Sequence, residues 1–201
     1  MGTDPKTPLQ LKPGQATDYL SFLSNAAQEI TSSLDYAVTL KNVANAMVPH
    51  LSDWCAVDIL QKNGRLKRLA IAHIDPKKIE KALEIGKKYP RDPKAESGTS
   101  HVLLTGESEM QNGITDEMLV QAATNEEHLS MMRGLNFYSL MIVPIKSHGK
   151  TLGTITLVWA ESKNVYSMAD LAFAETLATL AGYAIDNARL YLAAKKQITT
   201  A

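Results

Sequence analysis

The sequence predicts an α/β (α+β) fold of three layers, with a central antiparallel sheet flanked by helices on both faces. Three observations carry that prediction. Phe137–Lys146 and Thr151–Trp159 are β-rich runs flanking Ser147-His148-Gly149-Lys150, whose glycine is the only one between them, so they read as a hairpin at the centre of a sheet. Directly afterwards, Ser167-Met-Ala-Asp170 opens an apolar-periodic helix that runs to about Lys195. Upstream, a second hairpin and several helical segments give the order helix, hairpin, helices, hairpin, helix.

In chain order, residues 1–16 carry three of the eight prolines and no periodicity, and read as a flexible tail. A first helix follows, with Thr17 as N-cap and Tyr19, Leu23, Ala26 and Ile30 on one stripe. Ser33 is expected to cap a second helix, on which Val38, Val43, Met47 and Leu51 form an imperfect stripe. Asp53–Leu60 and Leu66–His73 are strands joined by Gln61-Lys-Asn-Gly64-Arg65, a turn carrying Asn-Gly. Asp75 caps a helix with Pro76 at its first position, and Lys87 and Lys88 suit the dipole at its end. A loop with Pro90, Pro93 and Gly98 leads to a short helix near His101–Leu104 and a strand near Ser108–Met110. Thr115 and Asn125 are N-caps of two further helical pieces ending at Gly134.

Composition narrows the function. Lys plus Arg and Asp plus Glu stand at 21 each, so no global field attracts nucleic acid or an anionic membrane. The chain has no apolar run of membrane length and no secretory leader at its start, which makes a cytoplasmic location the expectation. Cys55 is the only cysteine, which excludes an internal disulfide and a thiolate metal cage. The histidines are scattered, and Glu126-Glu127-His128 lacks a second histidine at i+4, so no metal site is expected.

A set of short matches occurs in order along the chain: Trp54-Cys-Ala-Val-Asp58, Ala72-His-Ile-Asp-Pro76, Tyr89-Pro90, Gly98 before the short helix, and Leu104-Thr-Gly-Glu107. It continues with Ser139-Leu-Met-Ile-Val-Pro-Ile145, Leu152-Gly153 and Ala184-Ile-Asp-Asn-Ala-Arg-Leu-Tyr191. Together these resemble GAF domains, most of all those of bacterial sensor histidine kinases and related multidomain phosphatases or cyclases. The resemblance implies a domain over residues 17–193 that binds or senses a small molecule, is often dimeric, and continues through 194–201 as a linker toward an output domain. The departures matter equally. No cysteine stands beside a histidine, as bilin-binding relatives need, and methionine-sulfoxide-reducing relatives use several cysteines. Against the Asn-Lys-Phe-Asp-Glu set of the cyclic-nucleotide type, Tyr166 and Asp170 fill two places, but Leu171 stands where Glu is expected.

Strand alternation then sorts the candidate site residues. Cys55, Val57 and Ile59 form an apolar face against the terminal helices, where Cys55 is expected to be buried and inert. Trp54, Ala56, Asp58 and Leu60 point to the other face. A carboxylate there needs a partner: a loop backbone, an arginine or a ligand. His73 shares an apolar face with Leu69 and Ile71, as a satisfied core histidine or as Asp58's partner across the hairpin. Gly98, Ser100 and His101 open a short helix whose N–H groups either receive an anion or are capped by Ser97 or Thr99. With Tyr138 and Ser139 on the central strand, these residues are expected to border one pocket, and no catalytic residue and no cofactor is specified.

On the last helix, Leu171, Ala174, Ala178, Ala181, Ile185, Ala188 and Leu192 form one stripe, and Phe173, Leu177, Leu180, Ala184, Asn187 and Tyr191 a second. One stripe docks on the sheet. The second either docks there too or meets another chain, which makes Tyr19, Leu23, Ala181, Ile185 and Ala188 the expected homodimer interface. The expected function is a non-enzymatic, ligand-sensing regulatory module relaying a signal through these helices. The alternatives are a reductase-type enzyme on the same fold and a ligand-free dimerisation platform.

Overall fold

The computed structural model describes residues 35–48, 50–61 and 63–199, together with the helical residues 21, 24, 25, 27 and 28. The expected first-helix residues Thr17, Tyr19, Leu23, Ala26 and Ile30, and the Ser33 cap, lie outside the described residues.

Eleven elements follow: α1 (Tyr36–Met47), β1 (Trp54–Leu60), β2 (Leu66–His73), α2 (Lys77–Lys88), α3 (Gly98–Thr105), β3 (Glu109–Asn112), α4 (Asp116–Ala122), α5 (Glu126–Arg133), β4 (Ser139–Ser147), β5 (Lys150–Trp159) and α6 (Met168–Thr199). The strands form one antiparallel sheet in the order β2-β1-β5-β4-β3. The second hairpin therefore supplies the central strand, β5, which pairs with β1 from the far end of the chain. His148 (φ 47°) and Gly149 (φ 74°) fill a two-residue turn between the paired Ser147 and Lys150. Two left-handed residues match the twist of the flanking strands, and glycine takes one of them without penalty. Pro144 sits past Ile142, where the β3 pairing has ended, so its missing N–H falls where β4 has a neighbour on one side only.

The helix starts follow their caps. Asp35 opens α1 by accepting the N–H groups of Ala37 and Val38. Asp75 accepts from Lys77, Thr115 from Met118 and Asn125 from His128. At α6, Ser167 and Asp170 cap reciprocally: the Ser167 N–H donates to the Asp170 carboxylate, and the Asp170 N–H to the Ser167 hydroxyl.

One sheet face carries Cys55, Val57, Ile59, Met141, Val143, Ile145, Ile155 and Leu157. It packs on α1 through Leu40, Val43, Ala44 and Met47, and on α6 through Phe173, Ala174, Leu177, Ala178, Ala181 and Ile185. Val38, expected on the inner stripe of α1, is 53% exposed, and Leu40 takes its place. Most of both stripes of α6 is drawn into this one wide contact, with Asn187, Tyr191 and Leu192 left exposed. Ala181, Ile185 and Ala188 are at 0%, 0% and 2% exposure within a single chain, so they have no surface left to offer a second copy. The exposed apolar side chains of α6 are instead Met168, Tyr183, Leu190, Tyr191 and Leu192. On the other sheet face α2 packs Ala82 and Ile85 near Trp54, Ile71 and Leu140, and α3 lies over β4 and β5. Among the described residues no helix is long and apolar enough to cross a membrane.

Candidate functional site

The face beneath α2 and α3 gathers most of the buried polar chemistry. Its centre is Asp58, 1% exposed in the middle of β1. Its partner is set by a β-bulge. Val57 pairs with Ala70, but Asp58 pairs with Arg68, so Leu69 is the extra residue. The shift turns Arg68 onto the Asp58 face and Leu69 onto the helix-packed face, reversing what plain alternation predicts for both. Arg68 grips Asp58 with two bonds of 2.9 Å, Nε to Oδ1 and Nη2 to Oδ2. Arg91, from the loop after α2, approaches Oδ2 through Nη1 at 3.1 Å. Burial pushes the Asp58 carboxyl up, but the two guanidinium groups outweigh it and hold it below the usual carboxylate range.

His73 is therefore not the partner of Asp58. It pairs with Trp54, four residues away along β1 or roughly 13 Å. The two rings lie 3.9 Å apart, and Phe137 meets the indole edge-on at 6.2 Å. His73 Nδ1 lies 2.7 Å from both the N–H and the carbonyl oxygen of Asp75, which hold the ring in place. Nε2 lies 3.4 Å from Glu161, itself paired with Lys78. Burial, chiefly, holds the His73 pKa below its ordinary value.

The start of α3 is already capped by a carboxylate. Gly98 sits at φ 76° and donates its N–H to Glu109 Oε2 at 2.6 Å, while the other oxygen of Glu109 meets His101 Nδ1 at 2.6 Å. Ser100 is buried in the first turn at 6% exposure. The anion expected at this helix start is thus the chain's own Glu109, reached across from β3. The two central-strand candidates separate. Ser139 pairs with Trp159 and is fully buried, its hydroxyl donating to the Asn164 carbonyl on the face away from Asp58. Tyr138 stands at the strand entrance, 36% exposed, with its N–H on the Trp159 carbonyl. Ser139 therefore cannot border a pocket with Asp58 while the strand keeps this register.

Two residues unmarked in the sequence complete the face. Thr154 is paired with Asp58, and Thr156 with Ala56. Their hydroxyls, with Trp54 Nε1 and His73 Nε2, are buried without a hydrogen-bond partner among the described residues. An unsatisfied buried polar group costs about 1–3 kcal/mol, so the two threonine hydroxyls and Trp54 Nε1, which unlike His73 Nε2 have no carboxylate nearby, call for an external partner, water or ligand. The β5 alternation Thr154-Ile155-Thr156-Leu157 was the signal for these threonines. Nothing local marks Arg91, whose loop is brought to Asp58 only by the fold. Two open cavities are present: one of about 390 Å³ between Tyr36, Leu69 and Arg189, away from this face, and one of about 290 Å³ lined by Asn45, Val48, Ala72, His73 and Ile74. Among the described residues no cluster of three or more His, Cys, Asp or Glu could hold a metal ion.

Cys55 takes no part in this chemistry. It is fully buried on the opposite face, its thiol 3.6 Å from the Met47 sulfur and pushed up to about 12, chiefly by burial.

Comparison with known proteins agrees with this architecture. The family model for the GAF domain matches residues 22–185. Among solved structures, the GAF domain of a phosphoenolpyruvate-protein phosphotransferase from Coxiella burnetii superposes with a TM-score of 0.66 at 19% identity, over 90% of this chain and 99% of that one. Free methionine-R-sulfoxide reductase from Neisseria meningitidis gives 0.62 at 12% identity, over 92% and 98%. A domain of a two-component sensor histidine kinase protein from Sinorhizobium meliloti gives 0.53 at 14%, over 78% and 94%. At these identities the likeness is one of fold. No curated protein matches the sequence.

Proposed function

Because the chain belongs to the GAF domain family, we propose that it is the ligand-sensing regulatory module of a bacterial signal-transduction protein. A small molecule binds on the sheet face beneath α2–α5, and the signal leaves through the terminal helices, which dimerise. The observation that carries this reading is the set of unpartnered polar atoms, Trp54 Nε1, Thr154 Oγ1 and Thr156 Oγ1, on the face of the Asp58–arginine cluster. A ligand with complementary groups would remove their cost and gain affinity in doing so. Ligand occupancy can reach α6 through β5 and β4, since β5, which carries the two threonines on one face, holds Ile155 and Leu157 in the core shared with α6 on the other, beside Met141 of the adjoining β4.

Native mass spectrometry of freshly purified protein tests the reading, because it reports a retained molecule and the oligomer together. A mass increment lost in Thr154→Val with Thr156→Val supports it. An unchanged increment in that double variant places the ligand elsewhere and rejects this face.

The rival reading, an enzyme of the thiol-reductase type, has one structural relative in the Neisseria protein. It fares worse here because the sole cysteine has no exposed surface and a thiol far above neutral pH.

A further inference from the structure

We propose that the ligand of this face is a small oxyanion, a carboxylate or phosphate compound, clasped by the outward edge of Arg91 above the Asp58–Arg68 pair. The inference rests on the ligand-sensing reading above and names the chemical class that the site would take.

Charge at the centre of the face does not balance. Asp58 is a single carboxylate, and Arg68 alone saturates it in the bidentate manner that guanidinium and carboxylate geometry favours. Arg91 adds a second positive charge, and only Nη1 touches Asp58. Arg91 makes no other hydrogen bond among the described residues, and its side chain is 41% exposed. Nε and Nη2, on the other edge of the guanidinium fork, thus have no partner among the described residues and can meet an incoming anion while Nη1 keeps its hold on Asp58.

The neighbouring carboxylates do not supply that anion. Glu109 is fixed on Gly98 and His101, Glu161 on Lys78, and Asp92 accepts the N–H of Lys94. On the adjoining strand Thr154 stands directly opposite Asp58, and its hydroxyl and that of Thr156 are buried and without partners among the described residues. A cationic ligand would meet two guanidinium groups with one carboxylate already shared between them. A neutral ligand would leave the surplus charge unanswered. An oxyanion answers it. Asp58 acts here as a positioning residue that holds Arg68 and Arg91 together.

The test is calorimetric titration of the full chain with three probes: acetate, inorganic phosphate and acetamide, the last a neutral isostere of acetate. Saturable binding of acetate or phosphate with none of acetamide is expected, and which of the two binds decides between the carboxylate and phosphate sources. Arg91→Gln should weaken that binding roughly tenfold or more, the loss expected for a charge-assisted pair. Arg91→Lys, which keeps the charge and loses the fork, should fall between. Because Arg68 keeps both of its bonds to Asp58, the Arg91→Gln chain should keep the parent's circular dichroism and still melt cooperatively, at a somewhat lower temperature, which separates lost binding from lost folding. Anion binding unaffected by Arg91→Gln would assign it to surface lysines and overturn the proposal. Acetamide binding as well as acetate would also overturn it. A neutral or cationic molecule retained in native mass spectra, and released by the threonine double variant, would refute the anion class while leaving the sensing site standing. Failure of all three probes together with an empty mass spectrum would sink both.

Discussion

Asp58 shows how a single residue's role turns on its neighbours. The buried carboxylate is visible in the sequence as a charge within an apolar strand, and the demand for a partner follows from desolvation alone. Asp58→Asn leaves Arg68 and Arg91 without their counter-charge and should cost about 3 kcal/mol, the low end for breaking a buried pair, since both arginines are partly solvated. Urea denaturation with an unchanged m-value would read that loss directly. His73 gives a pH signature of defined sign. Its folded pKa lies below the unfolded 6.5, so its contribution is present above 6.5 and is lost as pH falls through the folded value. The melting-temperature advantage of the parent over His73→Gln should therefore shrink between neutral pH and mild acid. A difference constant across that range would contradict the buried, neutral imidazole. Cys55 should resist an aromatic disulfide reagent in the native state and react at once in denaturant, because desolvation keeps the thiol protonated and the core excludes the reagent.

At the scale of elements, α6 is seated by a glycine. A Cβ added at Gly182 would run into the backbone carbonyl of Lys146, so helix and strand approach more closely than any side chain permits. Backbone cannot yield as a flexible side chain does. Gly182→Ala should therefore cost about 1–3 kcal/mol through overpacking, despite alanine's better helix propensity. A variant as stable as the parent would show that α6 can lift from the sheet freely. The same helix corrects the sequence-based view of the dimer. Small residues at i, i+3 and i+4 predict close packing but do not say against what, and here Ala181, Ile185 and Ala188 pack on the chain's own sheet. Charging Ala181 or Ile185 should unfold the chain rather than split a dimer.

At the scale of the whole molecule, α6 still offers a second copy exposed apolar side chains, among them Tyr183, Leu190, Tyr191 and Leu192. If the terminal helices relay a signal through a homodimer, Tyr183→Glu with Leu190→Glu should yield folded monomers in light scattering. A parent that is already monomeric at tens of micromolar would end the dimer hypothesis.

The fold was legible because it is written in local patterns. Alternation marks the strands, Gly149 and the Asn63-Gly64 pair mark the turns, and Thr115, Asn125 and Ser167 mark helix starts, since each depends on residues a few positions apart. Those patterns also fixed which face of β1 meets the terminal helices, and so the burial of Cys55. The site was legible only in part. Asp58 and Trp54 could be placed on the right face, but the sequence could not reveal that Leu69 bulges, so Leu69 is expected beside Ile71 and His73 and packs on the opposite face instead. Arg91, Thr154 and Glu109 reach the site from a loop, a central strand and an edge strand far apart in the chain. What the sequence determined by itself is what neighbouring residues decide between them: elements, turns, caps and the face of each regular strand. What only the tertiary structure decided is which distant charges meet, because a one-residue shift in strand pairing reverses every side chain beyond it and no local preference encodes that shift.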